Sequence, residues 1–233
     1  MRLLVLLLSV PLIAADWVSL FDGKSLNGWM WSTESNPTQP AWAAENGMLR
    51  TTPGRGERVY LLTRDSFRDF EFEFEWKADP GANSGVKYRF QGYWVDSKLR
   101  EAPEGPGRIE PVALEYQITD DEKHPDALGA ESHSTAAIYE YVPARKAGPA
   151  RAGVWHRSRI VARGLHIEHW LDGRKVLDVE LDSPGVQEAF ANSRRKGSSP
   201  VLAKHDRRES PIALQYHDET VWFRKLRIRR LGQ

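Results

Sequence analysis

From Asp69 to Lys77 the chain alternates without a break: Phe70, Phe72, Phe74 and Trp76 take every second position, with Glu71, Glu73 and Glu75 between them. Side chains two apart share one face of a strand, so this segment is a β-strand with one face on a core and the other toward water or a neighbouring strand. Further short runs of β-branched and aromatic residues, set apart by Gly, Pro, Asn and Asp, predict strands at Gly85 to Phe90, Ala113 to Thr119, Ala136 to Val142, Arg157 to Ala162, His166 to Leu171, Ile212 to Tyr216 and Val221 to Ile228. Asp172-Gly173, directly after Trp170-Leu171, is a hairpin turn signal. One short helix is expected from Ser183, with Ser as N-cap, Pro184 at the first helical position and Val186, Ala189 and Phe190 on one side. The pattern is all-β, a sandwich or barrel, and 233 residues suit one large domain.

The N-terminus places Arg2 before the apolar run Leu3 to Leu8 and reaches small residues at Ala14 and Ala15, the layout of a secretory signal with cleavage after one of those alanines. Residues 1–15 are therefore read as a leader, 16–233 as the mature domain, and the protein as exported, periplasmic or extracellular. The run is too short to span a bilayer, and no other segment is long and apolar enough. With 33 Lys+Arg against 32 Asp+Glu there is no global field to draw nucleic acid or an anionic membrane. With no cysteine, disulfides, thiolate metal sites and cysteine nucleophiles are excluded, and stability rests on packing. Gln91 to Pro111 and Ser193 to Pro211 read as long loops.

Alternation also sorts the polar residues. Lys87 and Arg89 share one face of their strand, Glu115 and Gln117 one face of theirs, and Gln215 and His217 one face of a third. If the three strands adjoin, the polar faces form a sugar-binding surface with acid-base groups. The competing reading is the wet outer face of an ordinary sandwich. The stretch Thr119 to Asp126 is an acidic loop with one imidazole, suited either to a hard divalent cation, through Asp120, His124 and Asp126, or to an acid-base pair at the cleft edge. A solvated turn is the plain alternative.

Other groups are weaker. Glu71, Glu73 and Glu75 resemble paired glycosidase carboxylates but lack the intervening Asp of the laminarinase type, and read as a solvated face. His166 and His169 lie on opposite faces of a strand and make no metal pair. Arg224, Lys225, Arg227, Arg229 and Arg230 alternate with Leu226 and Ile228 as a terminal strand with a wet face.

The sequence resembles the 3-keto-disaccharide hydrolase family over nearly the whole mature chain. The resemblance is carried by Leu20 to Trp29, Trp42 to Leu49, Asp69-Phe70-Glu71, Asn83-Ser84-Gly85-Val86 with Arg89, Glu115 to Asp120, His124-Pro125-Asp126, Trp155, Leu214 to His217 and Trp222-Phe223-Arg224. Three departures stand out. Ala113-Leu114 replaces Gly-Tyr before Glu115, Lys225-Leu226 replaces Asn-Ile after Arg224, and Gln215-Tyr216-His217-Asp218 replaces Gln-Asp-His-Gly, so that Asp218 stands where a glycine would make the turn after His217.

The resemblance implies a concanavalin-like jelly roll of two antiparallel sheets and action on glycosides oxidised to a ketone at C3, by hydrolysis or by β-elimination across C1–C2 followed by hydration. The C3 carbonyl acidifies the C2 proton, so the site needs a base, a donor or cation for the enolate, and an acid near the leaving oxygen. His217 or Glu115 is the candidate base, Arg89 or Lys87 the oxyanion stabiliser, and Asp120 or His124 the group that serves the leaving oxygen or holds a metal. Asn83, Lys87, Gln117, His124, Tyr139 and Gln215 are the candidate sugar contacts. The second reading, from another class, is a non-catalytic carbohydrate-binding module of the same fold, which would need stacking aromatics but no acid-base group. The partner in either case is an oligosaccharide or glycoside.

Overall fold

The computed structural model describes residues 16–32, 40–54, 60–95, 98–100, 109–145, 148–193 and 199–232, so the expected leader lies outside the described residues. The strands are β1 (Val18–Ser19), β2 (Trp29–Trp31), β3 (Trp42–Glu45), β4 (Met48–Thr51), β5 (Tyr60–Thr63), β6 (Phe70–Ala78), β7 (Asn83–Val95), β8 (Lys98–Arg100), β9 (Ile109–Thr119), β10 (His156–Arg163), β11 (His166–Leu171), β12 (Arg174–Glu180), β13 (Ala213–Gln215) and β14 (Val221–Arg230). They form two antiparallel sheets. One runs β12-β11-β10-β6-β14-β4-β3, with β1 also on β14, and the other runs β2-β5-β13-β7-β8, with β9 also on β7. This is the expected jelly-roll sandwich.

The aromatic face of β6 packs across the core onto the second sheet, with Phe70 edge-on to Tyr88 at 6.2 Å and Phe74 edge-on to Tyr116 at 5.6 Å. The hydroxyls of Tyr88 and Tyr116 each find a partner on the opposite sheet, as burial requires. The Tyr116 hydroxyl lies 2.8 Å from Ser158 Oγ, which also accepts from Trp76 Nε1 at 2.9 Å. The Tyr88 hydroxyl lies 2.7 Å from His169 Nε2, and His169 Nδ1 lies 2.8 Å from the Ala136 carbonyl. A carbonyl only accepts, so Nδ1 carries the proton and Nε2 accepts from Tyr88.

The carboxylate face of β6 is a ladder of ion pairs rather than bare solvent. Glu73 takes Arg227 at 2.6 Å and Arg157 at 2.9 Å, Glu75 takes Arg224 at 2.7 Å and Lys225 at 2.8 Å, and Glu71 takes Arg229 at 2.6 Å. The acidic strand and the basic terminal strand are hydrogen-bonded neighbours, which explains both charge runs at once.

The helix from Ser183 is α2 (Pro184–Asn192), with Val186 and Phe190 buried. Two more short helices are α3 (Ser199–Lys204), inside the expected loop Ser193 to Pro211, and α1 (Pro125–Gly129), which begins in the acidic loop Thr119 to Asp126; the expected loop Gln91 to Pro111 instead contains the end of β7, β8 and the start of β9. The expected strand Ala136 to Val142 is instead a compact loop with isolated bridges at Ile138, because Ala136 and Glu140 take left-handed φ of 68° and 75°.

Burial pushes His169 down from its ordinary value of 6.5 to about 4. As pH falls below the unfolded value the unfolded chain takes up this proton first, so the contribution is intact above about pH 6.5 and lost toward pH 4, by about 3 kcal/mol. Urea unfolding at pH 7 and pH 4.5 should show this loss, and His169→Gln, which cannot titrate, should show a visibly smaller one. An equal loss in both proteins would contradict the assignment.

Candidate functional site

The three polar strand faces adjoin. β7 lies between β9 and β13, with Lys87 opposite both Glu115 and Ala213, Gly85 opposite Gln117, and Val86 opposite Leu214. Residues Val86, Tyr88, Leu114, Tyr116 and Leu214 enter the core, so their alternates stand together on the other face. There they line a cavity of about 250 Å³ with Asn83, Glu115, Gln117, His124, Asp126, Tyr139, Gln215 and His217. This is slightly smaller than the ~300–1,000 Å³ usual for ligand pockets and suits a single sugar ring. A larger groove of about 1070 Å³ lies between α1 and β12, but its walls hold no imidazole and no side-chain amide, so size does not select the site.

Lys87 stands just behind the lining. Its Nζ is 2.6 Å from Glu115 Oε2, with 2 % of the lysine side chain exposed. Gly85 makes room for the other carboxylate oxygen, since a Cβ at that position would lie 2.3 Å from Glu115 Oε1. Next to it, Gln117 Nε2 donates to Asn83 Oδ1 at 3.3 Å, while Gln117 Oε1 is buried without a hydrogen-bond donor. An orphaned acceptor in a polar cavity is what a sugar hydroxyl or an ordered water would satisfy.

The far wall carries the imidazoles. His124 is the N-cap of α1, its Nδ1 accepting from the Asp126 amide at 3.2 Å, so the ring proton sits on Nε2. Burial pushes His124 down, with His217 acting in the same sense against Glu219, and the ring is neutral at neutral pH. His217 lies 6.2 Å away, centroid to centroid, and its Nδ1 is 3.2 Å from Glu219 Oε2. His124, His217 and Glu219 bring one potential ligand atom each within 4.8 Å of one another.

The turn after His217 takes a left-handed residue without a glycine. Asp218 itself adopts φ 73°, and its Oδ1 accepts from the Gly54 amide at 2.7 Å and from the Tyr216 hydroxyl at 2.6 Å. Asp is one of the few residues that tolerates this conformation, and the two hydrogen bonds hold it there.

Two candidates lie elsewhere. Arg89 was expected to share the face of Lys87, but β7 shifts register between Tyr88 and Gly92, and Arg89 takes a left-handed φ of 56°. Its side chain turns away to Asp69 Oδ1 at 3.0 Å. Asp120 is 2 % exposed and fastens loops, accepting from the Gly81 amide at 2.8 Å and the Glu122 amide at 3.1 Å. The set Asp120, His124 and Asp126 is therefore not brought together as a ligand group.

Sequence reasoning also missed contributors. Glu219 orients His217, and Gly85 sets the position of Glu115. Behind the cavity, Tyr139 donates to Asp126 Oδ2 at 2.7 Å, Asp126 Oδ1 faces His133 Nδ1 at 2.9 Å, and His133 Nε2 faces Glu140 Oε2 at 3.2 Å. Burial alone would raise the Asp126 carboxyl, but the Tyr139 hydroxyl and His133 outweigh it and hold it below the usual carboxylate range.

Gly85→Ala should fold, because the clash is with the Glu115 side chain rather than with backbone. Its crystal structure is expected to show the carboxylate displaced by about 1 Å and the Lys87 bond lengthened, the scale at which site geometry matters. An unmoved Glu115 would refute the fit.

A protein called 3-keto-disaccharide hydrolase, from Bacteroides thetaiotaomicron, is 29% identical over 95% of this chain and 81% of its own length. A provisionally assigned glycosyl hydrolase of Parabacteroides distasonis has a solved structure with a TM-score of 0.74 at 20% identity, covering 93% of this chain and 94% of its own. A second one from the same organism gives 0.68 at 24% identity, covering 93% and 100%. These two show the fold. The model of the 3-keto-alpha-glucoside-1,2-lyase-like domain matches residues 16–229, and the chain belongs to that carbohydrate-active family.

Proposed function

We propose that this protein is an exported enzyme that cleaves glycosides bearing a ketone at C3. The observation that carries the reading is the convergence of His217, Glu115 and His124 with three side-chain amides in one cavity. A binding module of the same fold would need an open aromatic platform. The one aromatic ring in this lining apart from the imidazoles, Tyr139, packs against His133 at 4.8 Å and has its hydroxyl engaged by Asp126.

In the proposed reaction His217, with Nδ1 toward Glu219, takes the C2 proton on Nε2. The C2–H electrons form the enolate, whose C3 oxygen is met by the Nε2–H of His124, a neutral donor in a partly buried site. Collapse of the enolate breaks the C1–O bond, and the departing oxygen receives the proton from His217. Water then adds across the resulting double bond at C1, giving net hydrolysis. Glu115, fixed by Lys87, and the amides of Asn83, Gln117 and Gln215 hold the sugar hydroxyls.

A metal-assisted variant is favoured by one observation, the close approach of His124, His217 and Glu219. Those three residues would hold a divalent cation, which would supply Lewis-acid stabilisation of the enolate, leaving Glu115 as the base.

Incubation of the mature protein with 3-keto-glucosides is expected to release the aglycone, and His217→Ala to lower turnover by about 10²–10⁴-fold. Loss of turnover on chelation, restored by added metal, selects the metal-assisted form. No turnover on any oxidised glycoside, with measurable binding of unmodified oligosaccharides, would replace the enzyme by a binding module. Export carries its own check: the N-terminus of the protein recovered from a bacterial host should begin at Ala15 or Asp16, and a retained Met1 would overturn it.

A further inference from the structure

Away from the polar cavity, two buried nitrogen-bearing side chains lack the hydrogen bonds that their burial demands, and a half-buried guanidinium stands on the same loop as one of them. Arg89 is 2 % exposed, and while one end of its guanidinium donates to Asp69, its buried Nε has no partner. His205 is 5 % exposed, and both its ring nitrogens are buried without partners. Its ring packs on Phe190 of α2 at 5.5 Å, and its backbone takes a left-handed φ of 48°. Arg208 is half-buried and forms no ion pair or hydrogen bond among the described residues.

The three belong to one place. Gln91, two residues after Arg89, straps the 205–208 loop onto β7: its Nε2 donates to the carbonyls of Arg89 and Arg207, and its Oε1 accepts from the Arg207 amide at 3.1 Å. Arg208 Nη1 would lie 4.0 Å from a Cβ on Gly164, whose amide donates to the same Asp69 oxygen as Arg89, at 2.9 Å. Asp69 is thus the one carboxylate paired there, against two guanidiniums. Asp206 and Glu209, on the same loop, are exposed.

We propose that Arg89, His205 and Arg208 enclose a binding site for a small inorganic anion. Unsatisfied buried polar atoms call for an unseen water or ion. A water alone would satisfy the orphaned nitrogens but leave two guanidiniums facing one carboxylate, an excess of positive charge that an anion would balance. Burial first, then the charges of Arg89 and Arg208, push His205 down to about 4, which marks the positive potential that an anion would relieve. The site also assigns Arg89 a role that its absence from the polar cavity leaves open.

The test titrates the mature protein with chloride, bromide, sulfate or phosphate against a gluconate background at constant ionic strength, following the melting temperature. At least one of these anions should raise it saturably, by about 3 °C at tenfold excess over the dissociation constant. Response to halides alone identifies a halide site, and response to sulfate or phosphate an oxyanion site. Arg208→Gln should abolish the saturable part. His205→Phe, which keeps a ring against Phe190, should do the same and serves if the first variant fails to fold. Bromide-soaked crystals should place anomalous density within hydrogen-bond distance of Arg89 Nε. Equal, unsaturated responses in the wild type and the variants, or a water at that position, overturns the proposal.

Discussion

The Lys87–Glu115 pair is the interaction on which the cavity depends. An ammonium with 2 % of its side chain exposed is tolerable only with a counter-ion in contact, and removing one partner of such a pair costs about 3–5 kcal/mol. The two residues are also register partners on β7 and β9. Slipping the pairing by one residue would send the charge into the aromatic core and the core residues Val86 and Tyr88 outward. The pair thereby fixes which side chains stand beside it, including the glycine opposite Gln117.

Around that pair, the walls are built from groups that do two jobs. His124 closes the N-terminus of α1 and presents its other nitrogen to the cavity, so backbone geometry determines its tautomer. Asp126, in the first turn of the same helix, is held from behind by His133, which Glu140 backs in turn, and from the side by Tyr139. The loop carrying these residues contains Ala136, whose carbonyl binds His169 of the opposite sheet. The cavity wall is thus continuous with the core.

The strands were legible wherever burial differs between the two faces. β6, β9 and β11 follow directly from alternation, and so do the outward Lys87 of β7, the pair Glu115 and Gln117 of β9, and Gln215 of β13. The failures have local physical causes. Arg89 leaves its face because of a bulge and a left-handed residue, which period-two reasoning does not contain. The segment Ala136 to Val142 has strand-like composition but is turned by positive φ at Ala136 and Glu140. α1 was hidden because its cap is an imidazole rather than a hydroxyl or carboxylate. Glu219 is two residues from His217, yet only the turn through Asp218 brings the two side chains together, and His133 reaches Asp126 through a fold-back that no spacing announces.

Asp218 has a consequence for the rim. A glycine in the left-handed turn would be free in the unfolded chain and would lose more conformational entropy on folding. Here the turn is held by a side chain that reaches Gly54, on the segment after β4, and Tyr216, on its own. The imidazole of His217 is therefore carried on a strut anchored at both ends, and displacement of the segment around Gly54 would be felt at the rim without any contact to the sugar.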